Sequence, residues 1–334
     1  MKVLIALGAV ALLSLVAFGA GAQFHVVFGV VLPGVALAVF VVGLIVRVVN
    51  WARTPVPFKI TTTCGQQKSL AGIEYSALDC PPDRKHAFLR MALEVLFFRS
   101  LFRNTRASLT RDERRLVYGS SKWLWLFAIM FHYAFLVVVI RHLRFFMNPV
   151  PGFVDLVDRV DGMFEIGVPG LYITSALLIG ALGFLLVRRL YDAQVRFMSL
   201  TSDYFALFLL LGIAVSGAVL RYTPLRVDIV QVKQLAMGIW TMNPMPVEGA
   251  SGVFYVHLFL VSVLLAYFPF SKLVHAPGIF FSPTRNLPND NRAVRHVNPW
   301  AQELPNRTHS YAAWEREWAT QLEGAGFELE AKQK

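Results

Sequence analysis

WLWLFAIMFHYAFLVVVIRHLRFF, residues 123–146, and VFYVHLFLVSVLLAYFPFSKLVH, residues 253–275, decide how this chain folds. Each supplies roughly the twenty apolar residues that a helix needs to cross a hydrocarbon core of about 30 Å. Each also carries two histidines: His132 and His142 in the first, His257 and His275 at the two ends of the second. An imidazole is costly inside a bilayer, and one found there usually faces the bundle interior and has a job.

Working outward, four more apolar segments appear at about 3–19, 26–49, 171–187 and 204–220, giving six expected spans in all. Charged residues make up 16% of the 334 residues and hydrophobic ones 56%. A soluble chain carries about a quarter charged residues, so the fold class is an all-α integral membrane protein. The first span also has the features of a cleavable signal, with Lys2, an apolar run and Ala20-Gly21-Ala22 at its end; a retained helix is the favoured reading. The division is an N-terminal helix (1–24), a four-helix-type unit (25–276) with a long basic loop (51–122), and a tail (277–334).

Basic residues set orientation, because loops rich in Lys and Arg stay in the cytoplasm. Residues 51–122 hold thirteen basic against six acidic residues. The turn after the fourth span has Arg188, Arg189 and Arg196 against Asp192. The loop 147–170 is the reverse, with Asp155, Asp158, Asp161 and Glu165 against Arg159, and faces outward. Both termini are then cytoplasmic in a multi-pass protein of the cytoplasmic (inner) membrane. The net charge of +11 follows topology and contact with lipid rather than nucleic acid. Within the basic loop, residues 83–98 read as an interfacial amphipathic helix. The tail is extended and aromatic, with Trp300, Trp314 and Trp318, and suits docking to a soluble subunit.

The two histidine segments run antiparallel, so depth fixes the pairing: His142 with His257 near the outer surface, His132 with His275 near the cytoplasm. Two imidazole pairs on two helices are what a membrane protein needs to hold two haems b. A bis-histidine haem has no open position and carries single electrons. The spacings, ten residues against eighteen, are roughly 15 and 27 Å at helical rise; tilt and bending near Pro269 are needed to reconcile them. On an unbroken helix, eighteen residues make five turns and place His257 and His275 on one face. Cys64 and Cys80 offer neither CxxCH nor a cluster motif. His25, His86, His296 and His309 have no partner at matching depth. Arg141 and Arg144 are candidates for anionic propionates, as is Arg47 on the inner side, although snorkelling to lipid phosphates explains such residues equally well. Asp161 or Glu165 is a candidate proton acceptor beside an outer quinone. A histidine proton relay in a transporter and a structural anchor are the competing classes.

With these residues in hand, the chain resembles the gamma-subunit family of respiratory nitrate reductase, membrane cytochromes b with two histidine pairs. The histidine spacings carry the likeness over about 26–275, with one extra helix in front. FSKLVHAPGIFFSPTRNLPNDNRAVRHVNPW, residues 270–300, further resembles the DsrM family, the membrane cytochromes of complexes associated with dissimilatory sulfite reductase. The spacings alone also admit the cytochrome b of heterodisulfide reductase. The resemblance implies menaquinone as substrate and a DsrK-like cytoplasmic iron–sulfur partner acting on DsrC. It also implies DsrP-, DsrJ- and DsrO-like subunits.

Overall fold

The computed structural model describes residues 1–54, 65–110, 115–162, 172–282, 285–290 and 310–330. Cys64, Glu165, His296, Trp300 and His309 lie outside the described residues. Among the described residues, six helices are long and apolar enough to cross a membrane. The first two are α1 (Lys2–Ala20) and α2 (Leu32–Arg53, entered through a π-helical turn, Val27–Val31); the other four follow below in chain order. Apolar side chains such as Leu4 and Leu15 stand exposed on the outside of this bundle, the surface expected where lipid is the solvent.

Between α2 and the next span the basic loop folds into its own small cap. It holds α3 (Arg84–Phe97), α4 (Arg99–Phe102) and a hairpin of β1 (Thr105–Thr110) and β2 (Arg115–Ser120), paired antiparallel with Thr105 opposite Ser120. The expected amphipathic helix is therefore present, capped by Asp83, whose carboxylate accepts from the His86 backbone N–H at 3.0 Å. The hairpin is an addition to the all-helical expectation.

The chain then runs through α5 (Lys122–His142), the short α6 (Gly152–Gly162), α7 (Ile173–Tyr191), α8 (Ala193–Met198) and α9 (Thr201–Tyr222). It continues through α10 (Ile229–Thr241), α11 (Gly252–Tyr267), α12 (His275–Gly278) and, in the tail, α13 (Tyr311–Glu317) and α14 (Ala319–Gly324). The packing follows a row: α5 on α7, α7 on α9, α9 on α11, and α11 on α2. α1 lies in the groove between α9 and α11. Its Ala6, Val10 and Ala17 are buried on one face, and Val10 meets Leu209 and Leu260, both fully buried. Without a hydrophobic drive inside lipid, such close van der Waals fit is what holds helices together. The N-terminal helix is thus an integral part of the bundle packing.

Both ends of the bundle are identifiable. Lys2 donates to the Ser199 carbonyl at 3.0 Å in the basic turn between α7 and α9. At the same end, Arg285 of the tail pairs with Glu94 of α3 at 2.7 Å. Asn289, buried, donates to Cys80 Sγ at 2.8 Å and accepts from Gln67 at 3.0 Å. The near part of the tail is therefore folded onto its own first loop. α6 and α10 sit at the opposite, acidic end.

One expectation about the last span needs correcting. α11 stops at Tyr267, and the chain continues as a 3-10 turn (Phe268–Phe270), an extended Ser271 and a second 3-10 turn (Lys272–Val274). Proline lacks the N–H that an α-helix needs at its interior, and Pro269 is buried against α2, where a Cβ on Gly43 would stand 2.9 Å from its ring. His257 and His275 are therefore on separate helices, and the argument that five unbroken turns put them on one face does not hold. The break supplies the bend near Pro269 that the two spacings call for.

Candidate functional site

Two of the four histidines meet: at the basic end, the rings of His132 and His275 lie 6.0 Å apart between centroids, with planes at 84°. His142 ends α5 and His257 lies near the start of α11, both toward the acidic end. α5 and α11 are thus brought opposite each other, although neither is closely packed on the other. The His142 side chain is exposed. Among the described residues, no group of three or more His, Cys, Asp or Glu side chains converges.

Each imidazole is held the same way. His132 Nδ1 is 2.7 Å from the Ala128 carbonyl, and His142 Nδ1 is 2.7 Å from the Val138 carbonyl, each four residues back on α5. His275 Nδ1 is 3.0 Å from the Lys272 carbonyl. His257 Nδ1 is 3.1 Å from the Ile213 carbonyl across on α9. A carbonyl can only accept, so every Nδ1 must carry the hydrogen and every Nε2 is left with its lone pair. This is the tautomer that metal-binding histidines adopt, with the second nitrogen donating to a backbone carbonyl.

The surroundings of the basic-end pair come from the loop cap. The C-terminal carbonyls of α3, orphaned by helix geometry, are taken up by α5: Trp125 Nε1 donates to Phe97 O at 2.7 Å and Tyr133 Oη to Leu96 O at 2.8 Å. Phe98 follows in the left-handed region, φ 51°, an uncommon conformation for a bulky residue. Its ring stands edge-on to His132 at 4.9 Å. On the other side, Trp51 packs near Phe281 at 5.9 Å and against Gly278, and Arg47 lies over the Trp51 ring at 5.7 Å.

At the acidic end the expected auxiliary residues form an ion-pair cluster. Arg141 binds Asp158 at 3.0 Å and Asp161 at 2.8 Å, and Arg144 binds Asp158 at 2.8 Å. Asp161 is buried and also accepts from the Thr174 backbone N–H at 3.1 Å and the Thr174 hydroxyl at 2.6 Å. Arg141 lies over the Tyr172 ring at 3.2 Å, with Arg221 4.7 Å from the same ring. So engaged, the Asp161 carboxylate fixes α6 against α5 and α7. Burial raises the Asp158 carboxyl, but Arg144 and Arg141 outweigh it and hold it below its usual range.

Sequence reasoning missed the α9 contribution. Ser216 Oγ lies 3.0 Å from His257 Nδ1, and a Cβ on Gly217 would stand 3.0 Å from His257 Cε1. The signal was present: Gly212 and Ser216 are four apart, the small-residue spacing that lets membrane helices approach closely.

Six membrane-length helices with a histidine pair brought together at one end define a class, that of polytopic helical membrane proteins. The chain belongs to the nitrate reductase gamma subunit family, which it matches over residues 89–296, more than half its length. The match begins in α3, so α1 and α2 precede it. A protein of Archaeoglobus fulgidus described as an Hdr-like menaquinol oxidoreductase cytochrome b-like subunit is 49% identical over 282 residues, 82% of this chain and 83% of its own. One of Archaeoglobus profundus with the same description is 44% identical over 283 residues, again 82% of this chain and 83% of its own.

Proposed function

We propose that this chain is the membrane cytochrome b subunit of a menaquinol-linked oxidoreductase complex, holding two haems b between His132 and His275 and between His142 and His257. The observation that carries the reading is the shared Nδ1–carbonyl bonding of all four imidazoles, which leaves Nε2 of each as the nitrogen able to ligate iron. The 6.0 Å approach of the His132 and His275 rings supports it further. When bound, a bis-histidine haem supplies one-electron carriage and no substrate position.

The protein's own groups do the rest. The backbone carbonyls fix each imidazole's tautomer and raise its basicity. Phe98 and the loop cap shield His132 from the basic-end surface. The Arg141–Asp161 cluster fixes α6 beside His142, where we place menaquinol oxidation, with two protons released outward and two electrons taken inward one at a time. Asp161, which also anchors that region, and Glu165 are the candidates for the departing proton. The basic end faces the cytoplasm of the inner membrane, with both termini there. α1 is an addition to a dihaem unit spanning 25–276, and 277–334 is the tail that receives a cytoplasmic iron–sulfur partner.

The Hdr-like description of the relatives supports a heterodisulfide-reductase-like assembly. The 270–300 stretch instead supports the DsrM family, with DsrK-like, DsrJ-, DsrO- and DsrP-like partners in dissimilatory sulfur metabolism. Either reading implies the same chemistry for this chain. A reduced-minus-oxidised spectrum of the purified chain tests it: a b-type band with about two haems per chain is expected. Absence of haem would favour a histidine proton relay and overturn the proposal.

A further inference from the structure

Three of the four imidazoles take their Nδ1 acceptor from their own segment: Ala128 for His132, Val138 for His142 and Lys272 for His275. His257 does not. Its Nδ1 reaches across to α9, where it lies 3.1 Å from Ile213 O and 3.0 Å from Ser216 Oγ. The Ser216 hydroxyl donates to Gly212 O at 2.7 Å, with Ile213 O at 3.1 Å. Its hydrogen is therefore spent along α9, and its lone pairs face the imidazole N–H. Ser216 is buried, so water does not compete for this bond. Gly217 completes the arrangement, because a Cβ there would press on the ring at 3.0 Å.

We infer that Ser216 is a positioning residue that sets the electron affinity of one of the two iron sites, the His142/His257 site, through the second nitrogen of His257. The inference rests on the two-haem reading given above. A donor N–H shared between two acceptors makes the imidazole more electron-rich, which stabilises ferric iron and lowers the reduction potential. The Ser216–Ile213 pair gives the acidic-end site a second acceptor that the other three imidazoles lack in these bonds. It also makes that site the one whose potential depends on the α9–α11 contact.

The test is redox potentiometry of the purified full chain, with Ser216→Ala and Ser216→Thr beside the parent. Ser216→Ala is expected to raise the potential of one haem by about 30 mV, a roughly threefold change in its equilibrium constant at 59 mV per tenfold, with the other haem unmoved. Ser216→Thr keeps the hydroxyl and is expected to restore the parent value. The low-temperature electron paramagnetic resonance signal of the same haem should shift in Gly217→Ala, which moves the ring without removing the acceptor. Loss of one haem in Ser216→Ala with its retention in Ser216→Thr supports the same assignment. Two haems with both potentials unmoved in Ser216→Ala overturn it. A chain without b-type absorbance, or a His257→Ala chain that keeps both haems, refutes the two-haem reading instead.

Discussion

Replacing His132 with alanine tests the basic-end pair directly. Two imidazoles on opposite sides of one metal, each bonded at about 2 Å with about a further 1.1 Å from nitrogen to ring centre, stand about 6.2 Å apart. The His132 and His275 rings are 6.0 Å apart, close to that separation. Alanine is the best helix former, and His132 lies inside α5, so the backbone should tolerate the change. The acidic-end pair begins ten residues further along α5, about 15 Å away, beyond the distance at which sites normally couple. His132→Ala should therefore lower haem content from about two per chain to about one, measured by pyridine haemochrome against protein mass. The thermal transition of the detergent-solubilised chain serves as the folding control. Free imidazole in the buffer should fill the space left by the side chain and restore part of the missing absorbance. A His132→Ala chain with two haems refutes the pairing, as does a folded one with none.

Phe98→Gly removes a left-handed strain of roughly 1–2 kcal/mol and an edge-on ring contact of about 0.5–1.5 kcal/mol. Stability should change little while the spectrum of the His132 site shifts, and a shifted melting point with an unchanged spectrum would contradict this. Leu260→Ala, fully buried against Val10 and Leu209, should destabilise the bundle by about 2–5 kcal/mol in unfolding titrations. Leu4→Ala, 71% exposed, should fall within about 0.5 kcal/mol of the parent. The Asp158 carboxyl is lowered in the fold, so its stabilising contribution is present above the ordinary carboxylate value of about 3.9 and is lost as pH falls through the lower folded value. Hydrogen exchange in α6 should stay slow from neutral pH to about 5, accelerate only in stronger acid, and lose that acid step in Asp158→Asn.

Much of the architecture was legible because hydrocarbon imposes one rule on every span. Apolar length alone marked the six helices, and the antiparallel run of α5 and α11 was enough to match His132 with His275 by depth. What escaped was set by tertiary contact. Pro269 signalled a bend, but only its packing against Gly43 turns the bend into a full stop at Tyr267. The charged residues of α6 read as a loop because Asp158 and Asp161 carry no mark of their arginine partners, which lie about twenty positions earlier. The hairpin at 105–120 has short strands in a basic stretch, where local pattern is weak. Ser216 looked like any small residue of a membrane helix, since its bond to His257 joins two helices far apart in sequence.

The stop at Tyr267 has a consequence for how such a chain can vary. In an uninterrupted helix, adding one residue swings everything beyond it by about 100°, which would carry His275 away from His132. Here α11 carries His257 and ends at Tyr267, and two short turns with one extended residue between them lead on to His275. A change of length in that joint can be absorbed locally, so each level of the bundle is free to be adjusted in evolution, or at the bench, without re-registering the other.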